Sequence, residues 1–104
     1  MTGDADRVFD ALASAPRRRI LAFLSQTALS TTDLAARFAM SAPAMSRHLA
    51  VLAAAGLVSG ERQGQQVLYR LRRDTLLDAL ARFASEVDGP LRQAPPARAP
   101  REAL

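Results

Sequence analysis

Apolar residues recur at helical spacing in the first half of the chain, which is the part that ends at Gly56. Apolar positions three and four residues apart fall on one side of a helix and predict that this side is buried. Four segments show this pattern and are predicted to be helices. They run over residues 4–14, 16–24, 30–38 and 41–55.

Residues typical of helix ends mark these segments. Pro16 suits the first turn of the second helix, where its missing N–H costs nothing. Ser30 is a good N-cap, and Asp33 three residues later gives a weak capping box. Ser41 is the predicted cap of the fourth helix, and Gly56 ends it with a left-handed residue.

The apolar period changes from helical to alternating after the fourth helix. Residues 57–59 and 67–71 read as two short strands, with Val67, Tyr69 and Leu71 on one face. The polar segment between them, residues 60–66, contains two glycines and is predicted to form the tip of a hairpin.

Helical spacing returns in the last part of the chain. A fifth helix is predicted over residues 74–87, with a stop at Gly89–Pro90. Residues 90–104 hold four of the six prolines and lack an apolar period, so this Pro/Arg-rich tail is predicted to be disordered. The expected domain therefore spans residues 4–89.

The order helix-helix-helix-helix-strand-strand-helix predicts a mainly α fold with a small β-hairpin. A short third helix, a tight turn at Ala39–Met40 and a fourth helix form a helix-turn-helix, and the hairpin is the wing. In the fourth helix, Met45, Leu49, Leu52 and Ala53 form the predicted buried stripe. The fold class is thus a winged helix-turn-helix.

The outward side of the fourth helix carries the candidate chemistry. A helix fits the major groove of DNA, and residues near its N-terminus can reach base edges. Ser46 can hydrogen-bond a base or a phosphate, and Arg47 can fork onto guanine or grip a phosphate. The candidate DNA-binding residues are Thr31, Ser41, Ala42, Ser46, Arg47, His48, Arg62, Gln63 and Gln65.

These candidates have different expected roles. Ser41 and Thr31 lie at helix starts, where hydroxyls and backbone N–H groups can meet phosphate. Arg62 at the hairpin tip, with two neighbouring glutamines, is placed to reach an adjacent minor groove or backbone. His48 borders the buried stripe, so packing or a phosphate contact is favoured over a role in sensing.

The distribution of charge agrees with a polyanionic partner. All 14 basic residues are arginine, and the formal net charge is +4. Residues 16–73 hold nine arginines against two acids, a net charge of +7, whereas the flanking segments are net negative. Positive charge concentrated in this way is typical of nucleic-acid binding. The cluster at Arg17–Arg19 is more simply a solvated face.

Composition also excludes several classes of functional site. The chain has no cysteine and one histidine, which leaves no thiolate metal site, disulfide or multi-imidazole site within one chain. No cofactor, no membrane span and no signal peptide are expected, and the predicted location is the cytoplasm. We find no pair of carboxylates, nucleophile–base set or phosphate loop that would indicate an enzyme.

Three blocks of sequence together resemble the ArsR/SmtB family of repressors. Residues 9–21, FDALASAPRRRIL, resemble the family's opening "ALADPTRRRIL", and residues 41–52, SAPAMSRHLAVL, resemble its recognition helix "SQPAVSRHLRVL". Residues 56–58, 61–65 and 69–71 match the family's wing. The resemblance runs from about Val8 to about Phe83, in register.

This resemblance implies a homodimer, formed by the first and last helices, that binds a palindromic operator and represses transcription. Apolar residues left over from a three-helix core fit a two-fold interface. The candidate interface residues are Val8, Leu12, Leu77, Leu80 and Phe83.

The chain departs from the family's pattern in places that matter for function. Family metal sensors carry cysteines near the position of Thr32–Leu34, or Asp and His pairs on the last helix, and this sequence has neither set. The resemblance therefore implies DNA binding without metal sensing. Ala42 replaces the family's usual Gln, and Gln65 replaces a wing Arg.

Two alternatives remain open on the sequence. The first is a repressor controlled by a small apolar ligand bound between the N- and C-terminal helices. The second is a winged helix that serves only as a protein-interaction module; Ala42 and Gln65 favour it slightly, and the basic central segment opposes it. The effector remains unknown at this point.

Overall fold

The computed structural model describes residues 3–92, with side chains described for residues 4–89. Beyond residue 92 the predicted disordered tail lies outside the described residues. The elements, in order, are α1 (Gly3–Leu12), α2 (Ala15–Leu24), β1 (Leu29–Ser30), α3 (Thr31–Arg37), α4 (Ala42–Ala54), β2 (Val58–Gln63), β3 (Gln66–Leu71) and α5 (Arg73–Arg92).

An aliphatic core lies where the first four helices meet the small sheet. Its fully buried large residues are Ile20, Leu34, Met45, Leu49, Leu52 and Leu57. Three of them form the predicted stripe of α4. Ala53 does not belong to this stripe, because it is exposed. Only Met45 and the residues four and seven positions after it face inward. The prediction for Ala53 was wrong.

Serine caps begin the helices that form the helix-turn-helix. The Ser30 hydroxyl accepts from the N–H of Asp33 at 3.1 Å, and the Asp33 carboxylate accepts from the N–H of Ser30 at 3.4 Å. This is the predicted capping box, and Ser30 is buried. The Ser41 hydroxyl accepts from the N–H of Ala44 at 3.2 Å, which confirms the predicted cap of α4.

Helices α3 and α4 end in the same backbone motif. The N–H of Met40 donates to the carbonyl of Ala35, and the N–H of Ala39 donates to the carbonyl of Ala36. This is a Schellman motif, in which the residue after the C-cap is left-handed. That residue is Ala39 after α3, with φ of 52°, and Gly56 after α4, with φ of 77°.

The sheet has three antiparallel strands in the order β1-β3-β2, one more than predicted. Strand β1 pairs Leu29 with Tyr69 and Ser30 with Leu68. It contains only two residues, which is too short for an alternating pattern to show. Its pairing holds the start of α3 against the hairpin.

The hairpin is longer and tighter than the predicted loop. Residues 60–63 continue strand β2, and Gln63 pairs with Gln66, which leaves a two-residue turn at Gly64–Gln65. Gly64 has φ of 65° in the first central position, a place where glycine is favoured in such turns. The prediction of a hairpin tip over residues 60–66 was wrong, because polar residues occur in exposed strands as well as in loops.

Helix α5 begins at Arg73 and continues through Gly89–Pro90 to Arg92. The predicted stop at Gly89–Pro90 was therefore wrong. Leu76 and Ala79 pack against the core, whereas the rest of the apolar stripe remains exposed.

Candidate nucleic-acid interface

Helix α4 presents a polar face on the side away from the core. Met45 and Leu49 are 0% exposed, and this fixes the rotation of the helix. Five residues on the outward side of α4 are all exposed: Ala42, Pro43, Ser46, Arg47 and Ala50. The N-terminal half of α4 is therefore an accessible surface built on a rigid element.

Arg47 is the main chemical group on this surface. Within residues 3–92, its guanidinium forms no hydrogen bond or ion pair. Its N–H donors are therefore available to a carbonyl, a base edge or a phosphate. Ser46, one residue earlier, is exposed and likewise keeps its hydroxyl free of partners in the described part of the chain.

The helix starts contribute hydroxyls of different accessibility. Ser41 is exposed, and its oxygen already accepts a bond within α4, so its hydroxyl hydrogen remains to donate. Thr31 follows the buried cap Ser30 and is half-buried. Both lie at the N-termini of the two helices of the motif, where partial positive charge favours phosphate.

The hairpin carries the three predicted wing residues, all exposed. Gln65 lies in the turn itself, and Gln63 closes the ladder opposite Gln66. Arg62 was predicted at the tip of the hairpin, and this was wrong, because it pairs with Val67 within the β2–β3 ladder. The wing is thus a paired ribbon with its polar groups near the turn.

Two other arginines near the wing are paired with acids. Arg70 lies 3.9 Å from Glu61, and Arg72 lies 3.7 Å from Asp74. These exposed pairs offset part of the positive charge near the wing. On α4 and the hairpin, Arg47 and Arg62 form no ion pair within residues 3–92.

His48 lies at the border between the buried stripe and the outer side of α4. It is half-buried, and its Nδ1 lies 3.4 Å from Nη1 of Arg17. This position supports the packing role, and a contact with phosphate stays a prediction.

Arg17 and Arg18 donate hydrogen bonds to the end of α1. The sequence analysis interpreted this cluster as a solvated face and missed these bonds. Nε of Arg17 donates to the carbonyl of Ala11 at 2.9 Å, and Nη1 of Arg18 donates to the carbonyl of Leu12 at 2.6 Å. Free carbonyls at a helix C-terminus attract cations, and the signal was the Arg pair five and six residues after Leu12, the end of α1.

An exposed apolar face runs along α5. The four large apolar residues on it are Leu77, Leu80, Phe83 and Val87, which are 41–58% exposed. Phe9 of α1 packs edge-on against Phe83, with ring centroids 5.5 Å apart. The sequence prediction did not include Phe9 or Val87.

Two members of the predicted interface are less accessible. Val8 is 3% exposed and belongs to the core of the protomer, so its prediction as leftover surface was wrong. It lies on the side of α1 that faces the core. Leu12 is half-buried and packs against the core.

The described residues do not fit the metal sites of the family's sensors. No group of three or more His, Cys, Asp or Glu side chains comes together in this part of the chain. Asp33, the one carboxylate at the start of α3, is engaged in the capping box. Among the described helices, none has the length and apolar character to cross a bilayer.

A short helix, a tight turn, an exposed second helix and a paired wing define a winged helix-turn-helix protein. A family model for a helix-turn-helix domain matches residues 7–61, more than half of the chain. The transcriptional repressor SdpR of Bacillus subtilis is 35% identical over 75 residues, which cover 72% of this chain and 83% of SdpR.

The repressor SmtB of Mycobacterium tuberculosis is 38% identical over 81 residues, covering 74% of this chain and 60% of SmtB. A homodimeric winged helix-turn-helix DNA-binding domain of Mycobacterium bovis superposes with a TM-score of 0.68 at 27% identity, covering 89% of this chain and 86% of that one. The chain belongs to the ArsR/SmtB family of winged helix-turn-helix, DNA-binding transcriptional regulators.

Proposed function

We propose that this chain is a homodimeric repressor that acts in the cytoplasm and binds a palindromic operator, with α4 of each protomer in a major groove. The observation that carries the proposal is the free guanidinium of Arg47 beside Ser46 on the exposed half of α4. An arginine in this position can form a bidentate contact with guanine.

The rest of the surface supports the positioning of α4. Ser41 and Thr31 supply hydroxyls and N–H groups for phosphate on either side of the turn. The wing lies beside the groove, where it presents Arg62, Gln63 and Gln65 to the DNA. The arginine contacts the DNA backbone or the adjacent minor groove. Ala42 gives only a methyl contact.

Dimerisation follows from the exposed apolar face of α5. Large apolar side chains on one helical face are typical of a surface that a partner covers. A second copy, related by a two-fold axis, would bury this face and present two α4 helices to a two-fold symmetric operator. The homodimeric relative from Mycobacterium bovis supports this assembly.

The proposed repressor does not sense metal. The chain lacks cysteine, and its one histidine contacts Arg17. The carboxylates of α5 have no histidine beside them within the described residues. Release from DNA would then depend on another kind of signal. No catalytic role is proposed, and the relatives are transcriptional regulators.

The decisive experiment compares Arg47→Ala with Arg82→Ala on operator DNA selected from the source genome by the purified protein. We expect Arg47→Ala to weaken specific binding by about 1–3 kcal/mol, because one bidentate base contact is lost. Arg82→Ala removes the same charge from α5, where Arg82 pairs with Asp78 at 3.2 Å and is 76% exposed. It should leave operator affinity nearly unchanged.

Both variants should remain dimers in sedimentation velocity. Unchanged affinity of Arg47→Ala in gel-shift titration would remove Arg47 from the site and contradict the observation that carries the proposal. An equal loss in both variants would show that only net charge matters, which is the behaviour of non-specific binding.

A cavity of about 330 Å³ favours control by a small apolar ligand as a second candidate. It lies between α2, β3 and α5 and is lined mainly by leucines, among them Leu21, Leu71 and Leu76. The arginines at its rim, Arg18 and Arg73, already donate to backbone carbonyls. A thermal-shift screen of apolar compounds on the DNA-bound dimer tests this role.

A further inference from the structure

A second groove, of about 480 Å³, lies between α2, β1 and α3. All of its lining residues come from the segment 19–37, so α4, the hairpin and α5 contribute none of them. Its volume lies within the range of about 300–1,000 Å³ that is usual for small-molecule sites. The DNA-binding role proposed above does not use it.

The floor of this groove is apolar and includes an accessible aromatic ring. Phe23 is 37% exposed, and Ala22 and Leu29 line the groove beside it. Phe38 packs edge-on against Phe23, with centroids 5.4 Å apart, and so holds the ring in place. A flat apolar body could cover the exposed part of Phe23.

Two arginines form the polar rim of the groove. The guanidinium of Arg37 lies over the Phe23 ring, with its carbon 5.5 Å from the ring centre, so a ligand meets the part of the ring that Arg37 leaves uncovered. Arg19 lies one helical turn before Phe23 on the same side of α2. Neither arginine forms an ion pair within residues 3–92. Two unpaired cations beside an apolar floor favour a ligand that is both anionic and apolar.

We propose that this groove binds a small organic anion with a flat aromatic body, of the aromatic carboxylate class. The carboxylate accepts hydrogen bonds from the guanidinium groups of the rim, and the ring lies against Phe23. Gln26 and Thr27 complete the polar edge. The site does not depend on DNA binding and can be tested on the protein without DNA.

The probe is 2-naphthoate, with 2-naphthylmethanol as its neutral analogue. Binding is measured by calorimetry and by amide chemical shifts of the dimeric protein. We expect saturable binding of the anion with shifts centred on residues 19–37, and at least about tenfold weaker binding of the alcohol, because a charge-assisted hydrogen bond is lost.

Variant Arg37→Gln should weaken 2-naphthoate by about tenfold or more, whereas the charge-matched Arg82→Gln on α5 should not change it. Phe23→Leu tests the floor separately and should weaken both probes. Thermal melts of each variant establish that it is folded before its affinity is compared.

Three results would overturn the proposal. Equal affinity for the acid and the alcohol would show that the rim is not used. Shifts centred on Leu80 and Phe83 would place the probe on the apolar face of α5 instead. A loss of operator affinity in Arg37→Gln as large as that in Arg47→Ala, with 2-naphthoate binding unchanged, would assign the groove to DNA.

Discussion

Arg17, at the start of α2, contacts both the end of α1 and the distant helix α4. Its Nε and Nη2 donate to the carbonyls of Ala11 and Asp10, at 2.9 and 3.4 Å, and its Nη1 lies against His48 of α4. The guanidinium therefore closes the end of α1 and also touches the helix proposed to enter the groove. It positions α4 without reaching the outer surface.

We expect Arg17→Met, which keeps the apolar stem and removes every donor, to lower the free energy of unfolding by about 1–2 kcal/mol. The loss is limited at Asp10, which is exposed, because water can replace the donor there, whereas Ala11 is buried. Arg19→Met, two residues later, removes an exposed arginine that forms no hydrogen bond or ion pair with the described residues, and it should change stability by less than about 0.5 kcal/mol.

Urea unfolding at one fixed protein concentration measures both variants, since the stability of a dimer depends on concentration. If the two variants lost the same stability, the effect would be one of general charge and not of the bonds of Arg17. Retention of a dimer by both is the control for assembly.

The ends of α3 and α4 offer a test at the scale of one element. Both close with a Schellman motif, but the left-handed residue is alanine in the first and glycine in the second. A Cβ at Gly56 would meet Thr75 at 3.6 Å, an ordinary contact, so the cost of adding it is that of the backbone conformation. The two sites therefore test the same quantity, the free-energy cost of a left-handed alanine. Alanine is the native residue at the first site and glycine at the second.

We expect Gly56→Ala to destabilise the protein by about 1 kcal/mol, or roughly 4–8 °C in Tm. Ala39→Gly should not destabilise, unlike the same change inside a helix, because it relieves a left-handed alanine. Differential scanning calorimetry measures both. A loss of stability in Ala39→Gly would show that Ala39 is not strained and would contradict this interpretation.

Elements specified by local signals could be predicted from the sequence, whereas those that depend on distant partners could not. Ser30 and Ser41 fix helix starts through bonds three residues away, so their caps were predicted correctly. Strand β1 exists only because Leu29 and Ser30 meet β3, nearly forty residues later. Polarity alone could not separate the exposed ladder at 60–63 from a loop.

The same division applies to the candidate site. The outward face of α4 follows from helical spacing, and the structure places Ser46 and Arg47 as predicted. The contact of His48 with Arg17 joins residues that are 31 positions apart, and the burial of Val8 depends on how α1 packs. Neither contact leaves a local mark in the sequence.

At the scale of the whole molecule, the absence of cysteine leads to a prediction about signals. We expect stoichiometric zinc or arsenite to leave the operator complex intact, because the chain lacks thiolates and the described carboxylates form no ligand group. Thiol oxidants should also have no effect. Fluorescence anisotropy of labelled operator measures release, and release by any of these agents at stoichiometric amounts would contradict metal-independent repression.

The two-fold assembly is tested by a charge placed on the exposed face of α5. Leu80 is 41% exposed and lies with Phe83 and Val87 on one side of the helix. Leu80→Glu would bury a carboxylate without a partner in the proposed interface, which strongly disfavours association. We expect a monomer in sedimentation velocity that keeps its helical circular dichroism.

Ser85→Glu is the matched control, since it adds the same charge about 140° around the helix from Leu80. It is exposed and should remain a dimer with unchanged operator affinity. The Leu80→Glu monomer should lose operator affinity by several orders of magnitude, because two half-sites no longer bind as one unit. A dimeric Leu80→Glu protein would exclude this face as the interface, and a monomer with full affinity would show that one α4 helix is sufficient.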